Sequence, residues 1–281
     1  MRVAIIGLGL IGGSMGLALK AAGAEVAGYA RKTEVAALAL ERGAVDRCGR
    51  DLPSAVKGAE IIVVATPVLA IKDVFVDIAK YLAKSAIVTD VASTKVDVMN
   101  WAGQYLPAKA CFIGGHPMSG KEVSGIAASD VNLFRGCTYC LVPGKNFNAE
   151  SRKKMEDMVK VIGARPFYIE AQEHDTLVAG ISHLPHLVSV ALVNATANDA
   201  NWAAMAKLAA SGYRDTTRLA SGDPRMSRDI CLTNKKPILE AIDNYIHSLN
   251  ELRRLISDGD EKIEEHFIQA KDAREGWLRQ K

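Results

Sequence analysis

At 281 residues, with 49% hydrophobic content and ordinary numbers of glycine (23) and proline (9), the chain can bury one large or two smaller cores, which excludes a disordered or low-complexity protein. Its 35 Lys and Arg are nearly matched by 32 Asp and Glu, and a net charge of +3 excludes nucleic acid as a partner while leaving small anions open. Five cysteines, an odd number, exclude a disulfide framework, and no apolar run reads as a membrane span, so the expected location is the cytoplasm.

The opening segment "MRVAIIGLGLIGGSMGLALK" is punctuated by glycines and lacks a cleavage site, so it reads as a strand followed by a helix rather than a signal peptide. Within it Gly7, Gly9 and Gly12 stand in G-x-G-x-x-G register. The first allows a tight turn, the second lets backbone approach a pyrophosphate, and the third lets helix and strand pack closely. The backbone amides of Leu10 and Ile11, at the start of the helix, face the phosphates. The next strand, "EVAGYA", ends without the Asp or Glu that takes the ribose hydroxyls in an NAD site, and Arg31 and Lys32 follow it. NADP is therefore favoured over NAD, with solvated surface charge as the competing reading of the two cations.

Further along, "EIIVVAT", "SAIVTDV", "ACFIGG", "TYCLV" and "PFYI" read as strands, and residues 12–22, 33–43, 68–83, 94–106 and 150–163 as helices. This alternation predicts an α/β fold with a doubly wound, Rossmann-type, mostly parallel sheet. From about Ala171 only helical patterns remain, and "HLVSVALVNATAND" is apolar nearly all round, as suits a buried helix. The expected organisation is a dinucleotide-binding domain over 1–170 and a helical substrate and dimerisation domain over 171–281, with a second copy supplying partners for the apolar helix.

Ligands of open α/β sheets lie beyond the carboxyl ends of the strands. Three loops there are informative: "ATPV" with Thr66, "DVASTK" with Ser93 and Lys95, and "GGHPMSG" with His116. Thr66 faces the cofactor or merely ends a strand. Ser93 is also suited to cap the following helix, and Lys95 to be a surface charge. His116, in a loop leaving a strand, suits a catalytic role. Cys137 and Cys140 form a C-x-x-C, but on a strand such residues point to opposite faces and read as separate thiols.

In the second half "SHLPH" places His183 and His186 three apart, with Pro185 disturbing the helix by releasing the carbonyl of Ile181. No Cys, Asp or Glu joins them at ligand spacing, so no metal site is expected. "SGYRDTTRLASGDPRM" places Arg214 and Arg218 four apart among small residues, suited to carboxylates, with pairing to Asp215 or Asp223 as the competing reading.

The order "GLGLIGGS", "ATPV", "DVASTK", "GGHPMSGKEVSG", "NLF", "HD", "SHLPH" and "GYRDTTRLASGDPRM" resembles the prephenate/arogenate dehydrogenases of tyrosine biosynthesis over almost the whole chain. The resemblance implies oxidative decarboxylation of a cyclohexadienol with NADP or NAD. It puts His116 at the C4 hydroxyl as base or hydrogen-bond acceptor, and Ser93 close by. His186 then lines the substrate pocket, Arg218 grips a substrate carboxylate, and Arg214 helps shape the pocket. Where the family often has tryptophan after D-P-x-M, this chain has Ser227. With no regulatory domain or chorismate mutase module expected, any feedback by tyrosine would act at the active site. The rival readings are a β-hydroxyacid dehydrogenase or imine reductase, in which a helical lysine would replace "SHLPH", and an NADP-sensing regulator, which has no need of His116, Ser93 and Arg218 together.

Overall fold

The computed structural model describes residues 1–280. Its first part runs β1 (Arg2–Ile6), α1 (Leu10–Ala21), β2 (Glu25–Tyr29), α2 (Thr33–Glu41), β3 (Arg47–Cys48), α3 (Leu52–Val56), β4 (Ile61–Val64), α4 (Ile71–Ile78), β5 (Ile87–Asp90), α5 (Val96–Tyr105), β6 (Cys111–Pro117), β7 (Thr138–Pro143), α6 (Ala149–Val161) and β8 (Arg165–Tyr168). The strands form one sheet in the order β3-β2-β1-β4-β5-β6-β7-β8, the Rossmann-type arrangement that the sequence pattern predicts. Alternate residues of β1 feed the two faces. Val3 and Ile5 pack with Met15, Leu19 and Phe134 on one side, and Ala4 and Ile6 pack with Ile62, Val64 and Phe75 on the other.

Every neighbouring pair is parallel except β6 and β7, which run antiparallel with His116 opposite Cys140. His116 is therefore a strand residue and not, as the sequence suggests, part of the loop after it: pairing with β7 carries the ladder on through Pro117. β3 and α3 escape the periodicity reading because they are two and five residues long. α3 nevertheless carries a local signal, since Asp51 accepts the Ser54 N–H and Ser54 Oγ accepts the Asp51 N–H, a reciprocal cap.

The remaining chain is helical: α7 (Ala171–Val178), a π-helical turn (Ala179–His183), α8 (Leu184–Ala197), α9 (Trp202–Leu208), α10 (Ser211–Thr217), a 3-10 turn (Arg218–Ser221), α11 (Pro224–Thr233), α12 (Lys235–Asp258) and α13 (Ile263–Leu278). Packing divides the chain into a compact unit of Met1–Lys235 and a second beginning at Lys236. In the second unit, intrahelical ion pairs such as Arg254 with Asp258 (3.2 Å) line α12, and His266 of α13 approaches Glu251 of α12 at 3.8 Å.

Two expectations are corrected in the helical part. α8 is not buried: among its residues only Ser189 is, because one chain offers too little apolar surface to surround it. The helical run Ala171–Ala197 is 27 residues long with a mean hydropathy of 1.6, long and apolar enough to cross a membrane, contrary to the reading that no segment is. Its buried polar residues His174, Asp175 and His183 are bonded within the fold, which suits a packed helix better than a lipid-facing one.

Candidate active site

The carboxyl ends of β1, β4, β5 and β6 share one edge of the sheet, and the chain leaving each carries one of the polar segments singled out above. After β1, Gly7 adopts φ +99° and donates its N–H to Tyr29 O at 2.9 Å. A side chain here would place Cβ only 2.5 Å from Ala65 O, so the turn admits glycine alone. Gly9 precedes α1, and no side chain caps the helix, which leaves the amides of Leu10 and Ile11 available to an anion. Gly12 lies in the first turn of α1. Beside this turn the Thr66 hydroxyl is buried with no partner among the described residues, a polar atom awaiting one. This loop fits a dinucleotide. Past β2, Arg31 and Lys32 are exposed, and the strand ends on Tyr29 and Ala30 without a carboxylate.

At the end of β6 the His116 side chain is buried, and its Nδ1 lies 2.9 Å from Nε2 of His174 on α7. His174 Nδ1 in turn lies 2.8 Å from Asp175 Oδ1. A carboxylate only accepts, so His174 donates from Nδ1 and is bare at Nε2. His116 must then donate from Nδ1, which leaves its own Nε2 as a bare acceptor. Burial, followed by the neighbouring His174, Lys95 and His183, holds His116 well below the usual histidine pKa and keeps that nitrogen unprotonated at neutral pH.

Asp175 has a second task. Its two oxygens accept the backbone N–H groups of Lys95 (2.7 Å) and Val96 (2.8 Å), capping α5 from a helix 80 residues away. Ser93 is accordingly not the cap: its hydroxyl makes no hydrogen bond among the described residues, and it stands half-buried in the loop before α5. Nor is Lys95 a surface charge. It is wholly buried, ion-paired with Asp90, and donates to Gly115 O at 2.6 Å. Burial pulls its pKa down while Asp90 opposes the shift. Asp90 also accepts the Gly115 N–H (3.0 Å), so the pair ties β5 and β6 together directly beneath His116. A Cβ at Gly115 would collide with Asp90 O, so this close approach requires glycine.

The π turn before Pro185 absorbs the proline's missing N–H, the disturbance that the sequence predicts, and delivers His183 into the same network. Asn234 Nδ2 donates to Asp175 O (2.7 Å) and to His183 Nδ1 (3.1 Å). Burial lowers the His183 pKa to about 4, so this ring is neutral and carries its proton on Nε2, buried without a partner among the described residues. His186, one turn further on, is half-buried, with Nε2 2.9 Å from Ser227 Oγ.

Arg214 and Arg218 are not on one continuous helix, because α10 ends at Thr217 and Arg218 opens the 3-10 turn. Arg214 is exposed and pairs with Asp215 at 3.1 Å, the competing reading of the sequence. Arg218 pairs with Glu122, from the loop that follows β6, so it reaches the segment immediately downstream of His116. The same turn is fastened to α8 by the Ala220 N–H donating to Ser189 Oγ (2.9 Å). The structure thus joins His116 to the helical part through His174, Asp175, Asn234 and His183, and brings Arg218 to its loop. Sequence reasoning assigned no part to His174, Asp175, Asn234 or Glu122. The adjacent His-Asp pair inside an apolar helical stretch was the one signal available.

Residues 15–168 match the sequence profile described as "Prephenate dehydrogenase, nucleotide-binding domain", and residues 170–269 that described as "Prephenate dehydrogenase, dimerization domain". Over 99% of its length the chain is 37% identical to the prephenate dehydrogenase of Bacillus subtilis, covering 77% of that protein. The arogenate dehydrogenase structure from Synechocystis superposes with a TM-score of 0.84 at 32% identity, covering 99% of this chain and all of that one. The prephenate dehydrogenase of Aquifex aeolicus, solved with hydroxyphenyl propionate and NAD+, gives a TM-score of 0.90 at 29% identity over 98% of each chain. With both halves matched and the catalytic-edge geometry in place, the chain belongs to the prephenate/arogenate dehydrogenase family.

Proposed function

We propose that the protein carries out the NAD(P)-dependent oxidative decarboxylation of prephenate or arogenate, with His116 Nε2 accepting the proton of the C4 hydroxyl. The observation that carries this is the relay from Asp175 through His174, which fixes a bare nitrogen on a buried, neutral ring. When bound over the loop from Gly7 to Gly12, the nicotinamide supplies the hydride acceptor. As hydride leaves C4, the hydroxyl proton passes to His116, and the imidazolium formed is stabilised through His174 by the Asp175 carboxylate. The bond from C1 to the ring carboxylate then breaks, its electrons enter the ring, and the oxygen takes the proton back from His116 as the phenol forms. Aromatisation and loss of CO2 drive the step, so the chain has mainly to position and to keep His116 unprotonated.

In this reading Ser93, on the loop between β5 and α5, bonds the same hydroxyl. Arg218 exchanges Glu122 for a substrate carboxylate, His186 lines the pocket at that end, and Arg214 shapes its rim. Thr66 finds its missing partner in the cofactor. Arg31 and Lys32, with no carboxylate at the end of β2, favour NADP. The domain boundary falls near residue 170, and the open face of α8 is covered by a second copy, giving a cytoplasmic homodimer. His116→Asn tests the central assignment: kcat falls by about 10²–10⁴-fold with KM nearly unchanged. A surviving kcat refutes it, and a lower KM for NAD than for NADP refutes the cofactor preference.

A further inference from the structure

The geometry points to Ser227 as a positioning residue that makes the site prefer arogenate, which carries a side-chain amino group, over prephenate, its keto counterpart. The inference rests on the proposed function above and concerns the end of the substrate remote from the C4 hydroxyl.

Ser227 sits on α11, half-buried, with Oγ 2.9 Å from two groups: the carbonyl oxygen of Asp223 one turn earlier and Nε2 of His186. A helical serine donates to the carbonyl four residues back, and a hydroxyl has one proton. With that proton given to Asp223 O, the bond to His186 must run from the imidazole: Nε2–H donates and Ser227 Oγ accepts. A neutral imidazole holds one proton, so Nδ1 of His186 is left as a bare lone pair. No described residue partners that nitrogen.

His186 also stands at the right end of the site. Its ring packs beside Gly222, where a Cβ would come within 3.2 Å of His186 Cε1. Gly222 closes the turn that carries Arg218, and the Ala220 N–H fastens that turn to Ser189 on α8, one turn beyond His186. The substrate end gripped by Arg218 bears the groups on ring C1. In prephenate these are two carboxylates and a keto oxygen, all acceptors, and every one of them would meet the Nδ1 lone pair with another lone pair. Arogenate replaces the keto oxygen by an ammonium, the sole donor either substrate offers there. The discrimination therefore does not depend on which group faces His186.

The test measures kcat/KM for both substrates with the full chain and with Ser227→Ala and Ser227→Thr, at about pH 8.5, where an ordinary imidazole is neutral. The wild type favours arogenate by roughly tenfold or more, the scale expected when a site's buried polar group is left unmatched. In Ser227→Ala the ring is free to exchange tautomers, and the preference narrows to within about threefold, chiefly through a lower KM for prephenate. Ser227→Thr keeps the hydroxyl and restores the preference. The 15N spectrum shows His186 protonated on Nε2 in the wild type and a tautomer mixture in Ser227→Ala. A wild type that favours prephenate, or a ratio unmoved in Ser227→Ala, overturns this inference while leaving the proposed function intact. Oxidation of neither substrate overturns both.

Discussion

Asp175→Asn is the sharpest perturbation of the site, because it preserves shape while removing a charge and one acceptor. In the native chain Oδ1 accepts from Lys95 N (2.7 Å) and His174 Nδ1 (2.8 Å), and Oδ2 accepts from Val96 N (2.8 Å). An amide has two placements. With its NH2 at the Oδ2 position, it confronts the Val96 N–H and leaves a buried donor unmet. With its NH2 at the Oδ1 position, it confronts the Lys95 N–H and donates to His174 Nδ1. That reverses the His174 tautomer, and then that of His116, so that Nε2 of His116 carries a proton and accepts nothing. Either placement leaves one buried backbone donor unsatisfied, costing about 1–3 kcal/mol of stability. The imidazolium also loses its carboxylate, and part of the population loses the base outright. We expect kcat to fall by about 10³-fold, equivalent to about 4 kcal/mol of barrier, with KM for either substrate nearly unchanged. Steady-state formation of reduced cofactor gives both constants, and denaturant unfolding of the same preparation gives the stability loss. A folded variant with kcat within about threefold of wild type would sink the relay.

The pH dependence follows from two depressed histidines. His116 lies well below, and His183 at about 4 against, an ordinary value near 6.5, so below about pH 6.5 the unfolded chain takes up protons that the native state refuses. Stability therefore declines as pH falls from about 6.5 to 4, by up to about 3 kcal/mol for His183 alone, and denaturant midpoints that stay flat across that range would contradict it. The acid limb of kcat/KM, set by His116, falls below the usual histidine range; an inflection near 6.5 would place the titration elsewhere. Gly7→Ala forces a side chain at φ +99° against Ala65 O, and should destabilise by more than about 1 kcal/mol while abolishing cofactor binding measured by fluorescence titration. Arg218→Ala should raise KM with kcat largely retained, and an unchanged KM would move the carboxylate anchor to another residue.

What could be read in the chain depended on how local each constraint is. The glycine turn is set by the backbone within a dozen residues, and β1, β4 and β5 announce themselves as short apolar runs, so sheet and cofactor loop were legible. The strand setting of His116 was not, because it depends on pairing with Cys140 across an antiparallel ladder that no nearby residue specifies. Lys95 reads as surface charge since its compensating Asp90 is visible only once β5 and β6 lie side by side. His174 and Asp175 stayed without roles because their partners, His116 and the amides opening α5, lie 58 and 80 residues away. α8 looked buried because its composition answers to surroundings wider than one chain.

The π turn at Ala179–His183 has a consequence for what sequence change the helical half can tolerate. A π turn is an α-helix holding one residue too many, so deleting a single residue such as Gly180 would let the segment relax to ordinary α geometry. Everything downstream would then rotate by about 100° about the helix axis. His183 would swing away from Asn234 and His186 away from Ser227, and Pro185 would again press its ring on the carbonyl of Ile181. Residue count along Ala171–Ala197 is thus held as tightly as residue identity: point substitutions on the outer face are tolerated, whereas a one-residue deletion there misaligns both histidines at once.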